Sequence, residues 1–245
     1  MATGLFETLV AGHALDGTPF WLLLIGLMLF CIAFSYLLGS LNFAIIISKA
    51  KYGDDIRKHG SGNGGMTNML RTYGKGTAGL TLLGDALKAA VSVTVGCALL
   101  GVFFGGYLCG FFCMLGHMFP IYYRFKGGKG VVTVATTVLL LNPLVFAILF
   151  LVFVIVVAST KYVSLGSVMS VVLYPVILNR FDDIMLEYYI SLGIVPGTDT
   201  LFAVLTAVLV VFMHRENIKR LFAGKESKIS FGKKTDKSQG GDEKK

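Results

Sequence analysis

The chain has 245 residues, 55% of them hydrophobic and only 15% charged, with a formal net charge of +8. A soluble domain is about a quarter charged, so this composition excludes an ordinary soluble enzyme and indicates one polytopic membrane domain. The basic residues are divided among loops between apolar stretches instead of gathered on one face, which argues against nucleic acid and for anionic lipid or phosphate as partners.

In chain order, residues 1–19 hold Glu7 and Asp16 but no Lys or Arg. They lack the cationic start of a signal peptide and suit an N-terminus outside. Apolar runs then predict an all-α fold of seven transmembrane helices at 20–48, 78–101, 107–121, 130–141, 144–159, 163–179 and 200–213. The shorter ones fall below the ~20 residues of a full span and are expected to tilt or to span incompletely. Residues 130–159 are read as two helices separated at Asn142-Pro143, because proline breaks a helix and the charge pattern requires the extra crossing. Of 22 Lys and Arg, 20 then fall on one side: six between the first two spans, three around Lys126, Lys161, and ten from Arg215 onward. Lys and Arg mark cytoplasmic loops, so the C-terminus is placed in the cytoplasm. The loop Arg180–Thr200 is placed outside. Residues 1–229 form the expected single membrane domain. The tail, Lys-rich and poor in apolar residues from about Lys225, is expected to be disordered, with 230–245 as a separate cytoplasmic tail.

This topology sends polar residues to the cytoplasmic half: Ser40 and Asn42, Asp85 and Lys88, His117, Lys129, Ser164 and Ser167, then His214 and Asn217. The outer half is expected to hold almost none. Asp85 and Lys88 are three apart and pair on one helical face. Structural readings compete at each position: an ion pair for Asp85 and Lys88, a satisfied core histidine for His117, and back-bonding to helix carbonyls for Ser40, Ser164 and Ser167. Cys31, Cys97, Cys109 and Cys113 lie in apolar segments without a CxxC pair and read as packing thiols.

The strongest motif is His59-Gly60-Ser61-Gly62-Asn63-Gly64-Gly65-Met66-Thr67-Asn68-Met69-Leu70-Arg71. Its glycines let backbone N–H groups approach a ligand, while Ser61, Asn63, Thr67 and Asn68 add donors and Arg71 a forked cation. Such a set suits a phosphate. No GKS or GKT follows, so ATP is not implied. A second glycine-rich loop, Phe125 to Gly130, carries Lys126 and Lys129 on the same face. His214-x-x-Asn217 adds an imidazole and an amide. There is no G-x-S-x-G elbow, no HExxH and no set of metal ligands, so no metal or organic cofactor is expected.

With Tyr36-Leu37-Leu38-Gly39-Ser40, Gly60 to Arg71, Asp85-x-x-Lys88, Gly116-His117-x-Phe119-Pro120, Phe125-x-Gly127-Gly128-Lys129-Gly130, Tyr162-Val163-Ser164-Leu165-x-Ser167 and His214-Arg215-Glu216-Asn217-Ile218, the chain resembles the bacterial acyl-phosphate:glycerol-3-phosphate acyltransferases, the PlsY family. The resemblance covers about residues 33 to 229. It departs at Met66 and at Ala89, where the family more often has Ala and Gly. It implies a seven-span enzyme of the bacterial inner membrane with a cytoplasmic active site. It also implies transfer of an acyl group from acyl-phosphate to the 1-hydroxyl of glycerol 3-phosphate, giving lysophosphatidic acid and phosphate. Phosphate-binding roles would fall to Ser61, Gly62, Asn63, Thr67, Asn68, Arg71 and Lys129. Ser167, His214 and Asn217 would complete the reacting centre, with Ser40 and Ser164 as further members. Implied partners are acyl-phosphate, glycerol 3-phosphate and membrane lipid. The alternative reading is a transporter for an anionic phosphate compound, which would use the same basic loops.

Overall fold

The computed structural model describes Leu5 and residues 17–191 and 197–229. The expected tail 230–245 lies outside the described residues. All regular structure among them is helical: α1 Gly17–Gly39, α2 Phe43–Tyr52, α3 Met66–Tyr73, α4 Lys75–Leu100, α5 Tyr107–Met118, α6 Val131–Leu141, α7 Pro143–Thr160, α8 Val163–Ser191, α9 Thr198–Met213 and α10 Arg215–Phe222, with short 3₁₀ turns at Ile56–Lys58 and Ile121–Tyr123. Five helical segments are long and apolar enough to cross a membrane, and six if α9 and α10, bent by 57°, count as one.

Side-chain contacts fix the relative directions. Cys109 Sγ of α5 donates to the Cys31 carbonyl of α1, while Gly116 lies against Gly39 and Ser40, so α1 and α5 run together. Gly96 of α4 meets Gly105 while Lys88 meets His117, so α4 runs against α5. Small residues let membrane helices approach this closely. α6 runs against α5 (Gly110 on Thr137, Gly106 on Leu141), and α7 against α8 (the Leu149 carbonyl accepts from Ser170, Val157 packs on Gly166). α9 returns along α8, with Ala203 near Leu178 and Val210 near Val171. Each long helix therefore reverses its predecessor. The break at Asn142 is real: its φ of −140° leaves the helix, Pro143 opens α7, and Asn142 Nδ2 donates to Tyr107 Oη at 2.5 Å. Val138 of α6 and Val145 of α7 share one buried cluster with Tyr107, and the chain turns back there.

Several expectations need correction. The first predicted span stops at Gly39, and a separate helix begins at Phe43. Asn42 caps it by accepting from Ile45 N at 3.0 Å, and Lys88 takes up the Gly39 and Leu41 carbonyls at 2.9 and 2.8 Å. The α4–α5 junction is a turn of π-helix, Gly101–Gly106, instead of a loop. The sixth predicted span, α8, continues past residue 179 to Ser191, so the first part of the expected outer loop is helical. Nor is that end free of buried polar groups: Asp182 and Asp199 are 5% and 1% exposed there, near Tyr107 and Tyr174. Residues 225–229, expected to be part of a loose tail, pack on the fold: Ile229 N donates to the Lys161 carbonyl at 2.8 Å. The four cysteines are free thiols, three of them buried.

Candidate functional site

A cavity of about 560 Å³ opens where α3, α6, α8 and α10 converge. Its polar end is lined by Ser61, Asn63, Thr67, Asn68, Arg71, His117, Lys129, Ser164, Ser167, His214, Asn217 and Glu226. Its remainder is apolar and runs between α4, α6, α7 and α8 past Leu82, Leu139, Phe150 and Phe153. Leu82, Leu139 and Phe150 are also exposed on the lipid-facing side.

The first glycine loop is built by Asn68. Its Oδ1 accepts from Ser61 N at 3.0 Å, and its Nδ2 lies within 3.0–3.2 Å of the carbonyls of His59, Asn63 and Ile56. This fully used side chain shapes the loop instead of reaching a ligand. Asn42 Nδ2 pins the Gly64 carbonyl at 2.9 Å, and Gly64 N donates across to Gly127 of the second loop at 3.3 Å. Arg57 ties the loops from outside: Nη1 donates to the carbonyls of Tyr123 and Lys126, both at 2.9 Å, while Nε and Nη2 hold Asp55. The Arg57 guanidinium keeps the Asp55 carboxyl below its ordinary range. α3 then starts at Met66 with no side-chain cap on Gly65. Its first-turn N–H groups at Met66 and Thr67 make no backbone bond among the described residues. Uncapped N–H groups of a helix start favour an anion.

Lys129 stands opposite. Its ammonium donates to Asn217 Oδ1, and Asn217 Nδ2 donates to Glu226 Oε1 at 2.6 Å. Burial, with Arg220 and Arg71 nearby, lowers Lys129 from 10.5 to about 8 against the opposing pull of Glu226. Glu226 also accepts from Ser164 at 2.9 Å and from Arg220 at 2.8 Å. Burial would raise this carboxyl, but its three donors bring it below its ordinary range. Arg71 reaches the Ser227 carbonyl at 3.2 Å. Residues 226–227 thus strap the α8–α10 side of the cavity to α3.

His214 lies at the bend between α9 and α10. Its Nδ1 is 2.7 Å from the Val210 carbonyl. A carbonyl only accepts, so Nδ1 carries the proton and Nε2 keeps its lone pair. Burial first, then the Lys129 charge, lowers His214 from 6.5 to about 4. At neutral pH it is an uncharged acceptor. Ser167 Oγ donates to the Val163 carbonyl at 2.9 Å, leaving its lone pairs for the cavity.

Ten of the twelve residues expected at the site line this cavity. Ser40 does not. It is fully buried, donates to the Tyr36 carbonyl at 2.8 Å and accepts from Ile121 N at 3.4 Å, closing the end of α1. Gly62 is absent from the lining too, and its φ of +73° serves the turn. Sequence reasoning missed Glu226. The available signal was a lone carboxylate among lysines, just past an amphipathic helix.

Apolar helices around a cavity that joins a cationic, amide-rich mouth to an apolar body make this a helical membrane protein with an amphipathic cavity. The family model described as glycerol-3-phosphate acyltransferase matches residues 29–224, and the chain belongs to that family. The glycerol-3-phosphate acyltransferase of Finegoldia magna is 43% identical over 201 residues, spanning 79% of this chain and 92% of that protein. That of Clostridioides difficile is 39% identical over 200 residues, 80% and 92% of the two chains. Among solved structures, the integral membrane glycerol 3-phosphate acyltransferase PlsY (YgiH) in its glycerol 3-phosphate form superposes with a TM-score of 0.72 at 33% identity, covering 83% of this chain and 96% of that one. Its lysophosphatidic acid form gives 0.69 at 32% identity, covering 83% and 95%.

Proposed function

We propose that this chain transfers a fatty acyl group from acyl-phosphate to the 1-hydroxyl of glycerol 3-phosphate, giving lysophosphatidic acid and phosphate. The observation that carries this reading is the single cavity that joins a mouth suited to phosphate to an apolar body reaching the lipid face. The reading includes seven crossings, with α6 and α9 completing the five longer spans. It puts the N-terminus outside and the C-terminus and cavity mouth in the cytoplasm of a bacterial inner membrane, following the basic loops.

Acyl-phosphate is already activated, so the protein must align a hydroxyl with the carbonyl and offset developing charge. Arg71, Lys129 and the N–H groups at the start of α3 hold the phosphates. Ser61, Asn63 and Thr67 add donors at that mouth. Asn217 and Ser164 are organised by Glu226, so they act by holding Lys129 and the α8 wall in place. The lone pair of His214 Nε2 suits it to accept the hydroxyl proton, and Ser167 offers a hydroxyl beside it. The phosphate of glycerol 3-phosphate is the other available base. The acyl chain lies along the apolar body and enters from the bilayer, while glycerol 3-phosphate arrives from the cytoplasm.

The test supplies palmitoyl-phosphate and glycerol 3-phosphate to purified protein in lipid, without metal, ATP or coenzyme A. Equimolar lysophosphatidic acid and phosphate are expected, with loss of product in Arg71→Ala and Lys129→Ala. A preparation that binds glycerol 3-phosphate but forms no product would overturn the reading and call for a vesicle flux assay.

A further inference from the structure

We propose that His117 is a further substrate-binding residue, whose Nε2–H donates to a phosphoryl oxygen of bound substrate, and that Lys88 is the positioning residue that keeps the proton on that nitrogen. This inference rests on the acyltransferase reading for the identity of the phosphates. It does not follow from that reading, which leaves the buried Asp85–Lys88–His117 group without a part in the chemistry.

Lys88 Nζ has four close neighbours: the Gly39 carbonyl at 2.9 Å, the Leu41 carbonyl at 2.8 Å, Asp85 Oδ1 at 2.9 Å and His117 Nδ1 at 2.9 Å. An ammonium has three protons and no lone pair. Two carbonyls and a carboxylate around it demand the charged form. A proton on His117 Nδ1 would point at those N–H bonds, so Nδ1 presents its lone pair. Asp85 Oδ1 also faces Nδ1, but at 3.4 Å it is the more distant neighbour. The ring proton therefore sits on Nε2.

That leaves Nε2 as the ring nitrogen available to the cavity. His117 lines the polar end of the cavity. A Cβ on Gly128 would collide with Nε2 and crowd the Gly64 carbonyl, which places this nitrogen at the seam between the two glycine loops. Among the described residues Nε2 has no hydrogen-bond partner, and it is not one of the side-chain polar atoms sealed from solvent without a partner. The ring is otherwise only 4% exposed, so this donor is nearly desolvated before substrate arrives. Such a donor favours an anionic oxygen. His214 has the opposite tautomer, with Nδ1 protonated. One imidazole thus offers the cavity a donor and the other an acceptor.

The test measures initial rates in lipid, varying each substrate at saturation of the other. His117→Phe keeps a ring of similar size without the donor and should raise KM for one of the two phosphorylated substrates by about tenfold or more, with a smaller change in kcat. His117→Gln returns an N–H near the position of Nε2 and should recover most of the loss. The substrate whose KM moves identifies the phosphate contacted. Nitrogen-15 NMR of the wild-type imidazoles should show His117 protonated at Nε2, with that resonance shifting when glycerol 3-phosphate or inorganic phosphate is added, a change that a purely structural histidine does not make. A protonated Nδ1, or a folded His117→Phe with both KM values unchanged, overturns the proposal. Should the Phe variant fail to fold, the Nε2 resonance of the wild type decides: one that does not move on addition of either glycerol 3-phosphate or inorganic phosphate overturns the proposal. Wild-type protein without acyl transfer would defeat the acyltransferase reading instead. In that preparation, calorimetry with glycerol 3-phosphate and with inorganic phosphate on wild type and His117→Phe decides the donor: equal affinities for both ligands overturn it, and a loss for either sustains it.

Discussion

Lys129 and His214 are neighbours pushed in the same direction by burial, with consequences at different pH. Lys129 titrates at about 8, so its cation is present below that pH and lost above it. KM for glycerol 3-phosphate should therefore rise between pH 7 and 9 in the wild type. Lys129→Arg, whose guanidinium stays charged, should flatten this rise. A wild-type KM that is constant to pH 9 would show that bound substrate does not need that charge. His214, at about 4, is already neutral at pH 6. If it is the base, kcat/KM should show an acid limb near 4 beyond the substrate's own phosphate ionisation near 6. His214→Gln should lose the lower limb and keep the upper one. An unchanged lower limb in that variant leaves the substrate phosphate as the base.

At the scale of elements, the site depends on pieces distant in sequence. Glu226 has a side chain only 3% exposed and accepts from Ser164 of α8 and from Asn217 and Arg220 of α10 at once. Removing it leaves buried donors unpaired. Breaking a fully buried pair costs about 3–5 kcal/mol, but its Arg220 partner is 39% exposed and solvent screens that part. Glu226→Ala should then destabilise the fold by about 2 kcal/mol, seen as a lower Tm, and reduce kcat as Asn217 and Lys129 lose their support. An unchanged Tm would mean that the strap is replaceable. Gly116→Leu should drive α1 from α5, because its Cβ would meet the Tyr36 carbonyl and the Ser40 amide, and folded yield should fall sharply. Most of this architecture was legible. Apolar length located the long helices but not the short α2, α3 and α10, and Asn142-Pro143 marked the turn between α6 and α7 because proline has no N–H and asparagine tolerates an irregular backbone. Ser40-Leu41-Asn42 misled because the break there is stabilised by Lys88, 47 residues from Leu41. Glu226 was hidden because its partners lie on two helices, one of them 62 residues away, and a short strap has no hydrophobic period. Asp182 was read into a loop because its charge masked a helix that continues through it.

For the whole molecule, the alternating helices predict which residues share a side. Native thiols are buried or sit within apolar helices, so an added cysteine reports cleanly. In intact cells, an impermeant maleimide should label Glu187→Cys, exposed near the end of α8, and leave Lys219→Cys, exposed on α10, until the cells are opened. Labelling of both from outside would overturn the seven-crossing arrangement. The shape of the cavity also bears on traffic. Its mouth meets water and its body meets hydrocarbon. On the acyltransferase reading, each substrate and each product therefore has its own door: the phosphorylated small molecules pass through the mouth, and the acylated ones slide along the leaflet. Neither has to cross the phase of the other, so a long acyl chain is never carried through water. The direction of the reaction is left to the activated acyl-phosphate bond, and the fold supplies only the meeting place of two phases.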